Sequence, residues 1–373
     1  MKNTLYLSIL AAALMGGQVF ANYIPTTTDA PDVGDNMYAG AFSPSDDASN
    51  ANVTINEEEE GGYDFSENSV LGGLSKNASA DGNSVTMTGG QVFAVYGGDG
   101  TTGTVSNNKV TVSGGQLFGV IGGHISNGTA SNNTVIISGA QVSVAVEGAE
   151  VGVGDAVGNA IYLAGGQIGD VLGASVRTGS ATDNHIHLVG AGASVTVDGV
   201  TVDGHSLQVG SVYVAMASGT MTGNSIEVYG TEITAATLSS MQMLNFHIAD
   251  GVLLSQEAMI SLTSTSDGEG LDLTGAEIGF NAADVQDWGA YEGQSITLVN
   301  AAQAITVGEG SMGEVAIKGA DGATVATATL GLENSDKSLV LSNIKGTAPI
   351  PEPTTGTLSL LALAGLCARR RRK

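Results

Sequence analysis

The sequence predicts an all-β protein: a right-handed parallel β-solenoid (β-helix) of about 25 residues per coil, with a β-rich C-terminal cap and terminal signal helices. Three observations lead to this prediction. The body repeats with a constant period, each repeat alternates β-branched and polar residues, and Gly-Gly pairs allow the chain to turn corners. A helical repeat would need apolar residues about 3.6 positions apart, and no such pattern is visible.

The repeat is marked by asparagines that lead each unit at intervals of 25, 25, 26, 25 and then 40 residues. In a stack of coils these residues fall on one line, so we expect their amides to form a hydrogen-bonded ladder. A ligand-binding row is the alternative, as it is for Gln91, Gln116, Gln141 and Gln167. The repeats are placed at residues 63–235, and the ladder residues are Asn83, Asn108, Asn133, Asn159, Asn184 and Asn224.

The 40-residue interval indicates an insertion of about 15 residues near residues 191–205. Its centre, Val195-Thr196-Val197-Asp198-Gly199-Val200-Thr201-Val202, has two β-rich triplets around Asp-Gly, which predicts a hairpin. We expect the hairpin to project from the rod. Such a decoration is a candidate binding feature, and a neutral insertion is the alternative.

Two flanking regions lack the period. Residues 22–62 are predicted to be an acidic, low-complexity leader, with Glu57–Glu60 as a charged spacer and room for an N-terminal cap. Residues 236–347 retain β-type stretches and are predicted to form a cap, because an open solenoid end exposes an unpaired edge. The pattern leaves open whether they continue the solenoid or form a separate domain.

The N-terminal 21 residues have the pattern of a signal peptide. Met1-Lys2-Asn3 precedes an apolar run, and Val19-Phe20-Ala21 places small residues where a signal peptidase cleaves. We expect export through the Sec translocon with cleavage after Ala21; a buried N-terminal helix is the alternative. The single cysteine, Cys367, lies in the C-terminal tail, so the exported body has no disulfide.

The tail, residues 348–373, has three ordered parts. Pro351, Glu352 and Pro353 precede an apolar stretch shorter than the roughly 20 residues that span a bilayer. The basic end is Arg369, Arg370, Arg371, Arg372 and Lys373. These parts resemble the PEP-CTERM sorting signal of Gram-negative bacteria. The resemblance implies a transient inner-membrane anchor, recognition of Pro-Glu-Pro by an exosortase, and delivery to the cell surface or extracellular matrix. A plain weak membrane anchor is the alternative.

Charge and residue placement exclude several functions. The chain has 37 Asp and Glu against 12 Lys and Arg, and half of the basic residues lie in the two terminal signals, so nucleic-acid binding is not expected. The repeats carry only three basic residues in unrelated positions, Lys76, Lys109 and Arg177, which argues against a lyase. Three aspartates also occupy different repeat positions, so no glycosidase pair is predicted: Asp155, Asp170 and Asp183.

His185 and His187 are two residues apart on a predicted strand and therefore point the same way, outward, because Ile186 and Leu188 take the core positions. With Glu227 on a neighbouring coil they are weak candidates for a transition-metal site. An exposed pair is the alternative, and we expect no metal and no cofactor.

The repeats and the closing region also resemble passenger domains of autotransporter adhesins, although the membrane barrel of that family is replaced by the basic tail. The sequence therefore predicts a non-catalytic, exported structural or adhesive protein of the bacterial surface. Extracellular polysaccharide or a host glycan is the expected ligand. The alternative is a carbohydrate-active enzyme on the same scaffold, either a polysaccharide lyase or a glycosidase.

Overall fold

The computed structural model describes residues 32–34, 37–43, 45–55, 64–255, 257–266, 269–282, 285 and 287–347. The all-β class expected from the sequence is confirmed, with 65% strand and 3% helix. No helix within these ranges is long and apolar enough to cross a membrane. The signal peptide with Ala21, the sorting motif at residues 351–353 and the basic end at residues 369–373 lie outside the described residues.

The strands of the N-terminal half are β1 (Asp32–Gly34), β2 (Met37–Ser43), β3 (Asn52–Ile55), β4 (Asp64–Ser75), β5 (Ser84–Met87), β6 (Gln91–Ser106), β7 (Lys109–Val112), β8 (Gln116–Ser131), β9 (Thr134–Ile137), β10 (Gln141–Val157), β11 (Ala160–Leu163), β12 (Gly166–Thr178), β13 (Ala181–Thr182) and β14 (His185–Val189).

The elements that follow are β15 (Ser194–Val197), β16 (Val200–Asp203), β17 (Leu207–Ala217), β18 (Met221–Thr222), β19 (Ser225–Tyr229), β20 (Ile233–Ser239), β21 (Met243–Ile248), helix α1 (Asp250–Leu254), β22 (Ile260–Leu262), β23 (Asp272–Leu273), β24 (Glu277–Ala282), a 3-10 helix (Trp288–Tyr291), β25 (Ile296–Ala301), β26 (Thr306–Val307), β27 (Gly313–Lys318), β28 (Thr324–Glu333) and β29 (Ser338–Gly346).

Most strands belong to one large sheet made of two parallel ladders, consistent with a solenoid-like β fold. Long strands pair in the order β2, β4, β6, β8, β10, β12, β17, β20, β22 and β25. Short strands pair in the order β3, β5, β7, β9, β11, β14, β19, β21 and β24. We call each long strand, together with the short strand that follows it, a layer. Because the strands of successive layers pair in parallel and in register, equivalent repeat positions stack directly on one another.

The alternating sequence explains the core between the two ladders. On β7, Val110 and Val112 are fully buried, whereas Lys109 and Thr111 point outward. Because the side-chain period of a strand is two, each short strand gives one apolar face to the core. The long strands supply the opposite wall, for example through Val95. Full burial of each such valine contributes about 1.5–3 kcal/mol relative to exposure.

The expected solvated leader does not hold for residues 37–55. Strand β2 pairs with β4 and β3 pairs with β5, so this segment forms the first layer of the sheet. Ala39, Val53 and Ile55 are buried. The segment is poor in apolar residues, but a parallel partner strand satisfies its backbone, and a few small apolar side chains suffice to cover the core beneath it. Residues 57–60 lie outside the described part of the chain.

The region after residue 236 continues the parallel ladders and then closes them. Strand β25 still pairs in parallel with β22, but its other edge pairs antiparallel with β29. Strands β27, β28 and β29 form an antiparallel unit in which Leu330, Leu339 and Leu341 are buried. Antiparallel pairing at the last layer covers a sheet edge that would otherwise offer free N–H and C=O groups.

The inserted segment forms a hairpin, β15–β16, with Asp198 and Gly199 in its two-residue turn, both at positive φ. The hairpin does not project from the rod as expected. It folds back on the outer face of the short-strand ladder, where Val197 and Val202 pack on Ile136. The alternating sequence gives the hairpin one apolar face, and burying that face is more favourable than exposing it.

Candidate binding surfaces

The asparagine row lies inside the protein, and every member is 0–1% exposed. The Asn108 side-chain amide donates to the Asn133 Oδ1 at 2.9 Å and to the Ala80 carbonyl at 2.9 Å. The Asn133 Oδ1 also accepts the Asn108 backbone N–H at 3.1 Å. The same pattern repeats from Asn83 to Asn224. A row whose groups are buried and bonded in this way holds adjacent layers together and offers no surface to a ligand.

The ladder ends on a residue that the sequence did not indicate. The Asn224 side-chain amide donates to the Gln242 Oε1 at 2.9 Å. Glutamine supplies the same amide from a side chain one methylene longer, so it can close the row although the period is lost. Each ladder asparagine comes immediately before a short strand, and Gln242 comes immediately before β21. This position is the sequence signal that could have identified Gln242.

His185 and His187 lie on β14 and point outward, because Ile186 and Leu188 are fully buried. The His187 ring stacks on Tyr162 with centroids 4.1 Å apart and lies 5.9 Å from Tyr229. Tyr229 in turn stacks on His247 at 3.9 Å. Sequence reasoning missed Tyr162, Tyr229 and His247; the first occupies the same repeat position as His187.

Glu227, on the next layer, already has its acceptor positions filled. One carboxylate oxygen accepts from Ser225 at 2.7 Å and from Asn245 at 2.8 Å, and the other lies 2.8 Å from the His247 Nε2. Burial opposes ionisation, but hydrogen bonds from His247, Asn245 and Ser225 outweigh it and lower the Glu227 pKa to about 2. A carboxylate engaged in this way positions its neighbours.

His187 is held in its neutral form. Burial lowers its pKa to about 4, against the opposing charge of Glu227. Its Nδ1 lies 3.2 Å from the Tyr229 hydroxyl, and the His185 Nδ1 lies 2.8 Å from the Ser225 hydroxyl. The described ranges contain no group of three or more His, Cys, Asp or Glu residues arranged to hold a metal ion. This face is a stacked, hydrogen-bonded wall under the hairpin.

The glutamine row is the contrasting case, because it is exposed. Five glutamines occupy the first or second position of successive long strands and stand in register: Gln91, Gln116, Gln141, Gln167 and Gln208. Adjacent layers are about 4.8 Å apart, so the amides form a line at that spacing. Gln208 was not recognised in the sequence because the inserted hairpin shifts it out of the 25-residue period.

A second column runs beside this row, two residues further along each strand and therefore on the same side. In the first two layers of the row it holds Phe93 and Phe118, whose rings stack 4.8 Å apart. In the next three layers it holds Ser143, Gly169 and Gly210. The small residues leave an open depression of about 480 Å³, lined also by the adjacent glutamines. We call this surface, from Phe93 to Gly210 with the five glutamines, the glutamine face.

The glutamine face combines exposed amides with an apolar patch. Each primary amide offers donors and an acceptor, which suits the mixed hydrogen bonding of sugar hydroxyls. The aromatic pair supplies an apolar patch at one end. The named residues of the glutamine face are uncharged, so they do not select for a charged ligand.

The residues considered for enzymatic chemistry have local roles. Lys109 pairs with Asp198 at the tip of the hairpin, 3.1 Å away. Asp155 accepts the Ser180 backbone N–H and Asp170 accepts that of Ser211, each at 2.9 Å. Asp183 sits in a turn with φ of 55°. Asp155 and Asp170 thus bond backbone amides of the layer that follows, and Asp183 lies in the turn between β13 and β14.

Comparison of the chain with protein-family models, with curated proteins and with solved structures finds no match. The surfaces described above are therefore interpreted from their own geometry.

Proposed function

We propose that this protein is an exported, non-catalytic rod of the bacterial surface that binds extracellular polysaccharide or a host glycan along its glutamine face. In this proposal the layers are coils of a right-handed parallel β-solenoid, each of about 25 residues. The observation that carries it is the in-register row of five exposed glutamines beside a stacked aromatic pair and an open depression. A linear row of amides along a rigid rod fits an extended sugar chain.

Rigidity supports this role. Each glutamine lies at or next to the start of a strand that is hydrogen-bonded on both edges, and the asparagine ladder fixes the short strand of the same layer. A preorganised row loses little entropy on binding, because only the glutamine side chains must be ordered. Each amide adds a modest interaction, so we expect affinity to rise with the number of sugar residues in contact.

The binding prediction concerns the triple variant Gln141→Ala, Gln167→Ala and Gln208→Ala. We expect its affinity for the glycan selected on a glycan array to fall at least tenfold, which is about 1.4 kcal/mol, because the amides along the depression are removed. Titration calorimetry with the selected glycan measures the change.

The matched control is Thr102→Ala with Asn127→Ala. These exposed residues also stand in register on β6 and β8, but at the far end of the strands. The control should bind as the parent protein does. Equal binding by the triple variant, or release of shortened sugar products by the parent protein, would contradict the proposal.

The terminal segments support delivery to the surface. The segment ending at Ala21 directs export, and Pro351, Glu352 and Pro353 are presented to an exosortase-type enzyme while the basic end holds the tail at the inner membrane. We expect alanine replacement of Pro351, Glu352 and Pro353 to leave the protein in the inner-membrane fraction. Immunoblotting of cell fractions measures this, with alanine replacement of Thr354 and Thr355 as the control. Unchanged surface display would oppose the sorting role.

A further inference from the structure

A group of ionisable side chains lies on the long strands, partly or fully buried. Two adjacent columns run along β4, β6, β8, β10 and β12. The first reads Leu71, Tyr96, Ile121, Glu147 and Leu172, and the second reads Leu74, Asp99, His124, Glu150 and Ser175. Both columns are apolar at β4; the second is polar from β6 to β12, and the first carries polar groups at Tyr96 and Glu147. We call Tyr96, Asp99, His124, Glu147 and Glu150 the acidic cluster.

The acidic cluster contains one internal ion pair. The His124 Nδ1 lies 2.6 Å from the Asp99 Oδ1, and the edge of the Tyr96 ring packs on His124 with centroids 6.4 Å apart. Burial works against a charged imidazole, but Asp99 outweighs it and raises the His124 pKa to about 9. Side chains of Asp99 and His124 are 22% and 28% exposed, so solvent reaches the cluster.

Two buried groups in the cluster have no partner. Glu147 is 8% exposed and Tyr96 is 4% exposed. The Glu147 Oε2 and the Tyr96 hydroxyl make no hydrogen bond within the protein. Leaving a buried polar group unpaired is destabilising, and more so when the group is charged. A carboxylate oxygen accepts hydrogen bonds and a tyrosine hydroxyl accepts as well as donates, so one ligand with N–H donors can satisfy both.

The fold does not require a carboxylate at position 147. The residues directly above and below it in the column are Ile121 and Leu172, which are buried at the same depth. An apolar side chain would therefore pack there at lower cost. The glutamate is better explained by a ligand than by packing.

The cluster also holds more acidic than basic side chains. Asp99 pairs with His124, whereas Glu147 and Glu150 form no ion pair within the part of the chain that the structure describes. Burial raises the pKa of Glu147 well above its usual value, with repulsion from Glu150 as the next cause, and burial likewise raises the pKa of Glu150. A bound cation would reverse both effects, because it stabilises the ionised carboxylates.

The type of cation follows from the geometry. The described part of the chain holds no group of three His, Cys, Asp or Glu residues arranged for a metal ion. An alkylammonium group instead carries three N–H donors on rotatable bonds, and its ligand geometry is less strict. Glu147, Glu150 and the Tyr96 hydroxyl provide acceptors for these donors.

We propose that the acidic cluster binds the primary ammonium group of an amine-bearing ligand, with the Glu147 and Glu150 carboxylates and the Tyr96 hydroxyl as its acceptors. The site is separate from the glutamine face, so it does not depend on glycan binding there. Ligand binding favours the ionised form of Glu147, whose proton is released to the solvent.

The test is titration calorimetry of the full protein with methylammonium and glucosamine, and with N-acetylglucosamine and KCl as controls. We expect both amines to bind and neither control to do so, because acetylation removes the charge and potassium ions lack N–H donors. The affinity for methylammonium should rise as the pH is raised, because Glu147 and Glu150 then ionise while methylammonium keeps its charge. Equal binding of KCl or of N-acetylglucosamine would overturn the proposal, as would a flat pH profile.

The decisive variant is Glu147→Leu, which copies the neighbouring residue of the column. We expect it to raise the thermal unfolding midpoint and to weaken amine binding at least tenfold. A purely structural glutamate would instead lower the midpoint on replacement. Glu147→Gln keeps the side-chain volume and removes the charge, and we expect it to lose the same amount of binding. It serves as the test if the leucine variant folds poorly. Unchanged amine binding by both variants would show that the site lies elsewhere.

Discussion

Replacing Asn133 with alanine is expected to lower the free energy of unfolding by about 3 kcal/mol or more. Its Oδ1 accepts both the backbone N–H and the side-chain amide of Asn108, and its own amide donates to the Val105 carbonyl and to Asn159. The replacement leaves buried donors and acceptors on both adjacent layers without hydrogen-bond partners. Urea unfolding followed by circular dichroism measures the change.

The control for this prediction is Asn127→Ala. Asn127 is an exposed asparagine on β8, the long strand of the layer to which Asn133 belongs. Its replacement should change the free energy of unfolding by no more than about 0.5 kcal/mol. Equal losses in the two variants would mean that asparagine is favoured for its backbone preferences and that the ladder contributes little.

Gly154→Ala is expected to be at least as damaging, with a loss of about 3 kcal/mol or more. Gly154 has φ of 129°, a region that L side chains rarely adopt, and an added Cβ would overlap the carbonyl oxygen of Gly128 in the layer below. Gly179 repeats the same contact on Gly154. The atom in the way is backbone, so no side chain can rotate to relieve the overlap. Soluble yield and the urea midpoint report the effect.

Gly331→Ala provides the comparison. Gly331 lies within β28, has no neighbour within 4 Å of an added Cβ and does not have a positive φ. We expect its replacement to leave the midpoint nearly unchanged. A tolerated Gly154→Ala would show that the layers can separate locally, contrary to the close stacking described here.

The fold class was readable because the repeat exposes its own periodicity. The intervals between the leading asparagines match the register between β6, β8, β10 and β12, and the alternation around Val110 and Val112 gives the buried face. In a parallel ladder, an identical residue at each period must stack on itself. Sequence spacing is therefore a direct measure of register.

The errors arose where the period is interrupted. Residues 37–55 form the first layer although they read as a leader, because a partner strand supplies the pairing that their composition does not suggest. The hairpin was recognised from Asp198-Gly199, but its direction depends on Ile136, more than 50 residues earlier. Contacts at such separations leave no local pattern.

The roles of the glutamine face and of the acidic cluster were even harder to predict from the sequence. From the sequence, the histidine pair was a weak metal candidate and a ligand-binding glutamine row was only an alternative. In the structure, His187 is stacked between neighbours and the glutamines are exposed. Glu147 was not singled out, since a glutamate in an acidic chain has no distinguishing signal. Its significance comes from Ile121 and Leu172, which show what the same position holds in adjacent layers.

The sequence by itself determined the repeat, the strands and the asparagine positions, because all of these depend on local pattern. The tertiary structure alone decided which equivalent side chains are exposed, where the hairpin packs, and that Glu147 and the Tyr96 hydroxyl are buried without partners. The physical reason is that burial and hydrogen bonding are set by neighbours one layer away. In this chain those neighbours are about 25 residues distant along the sequence.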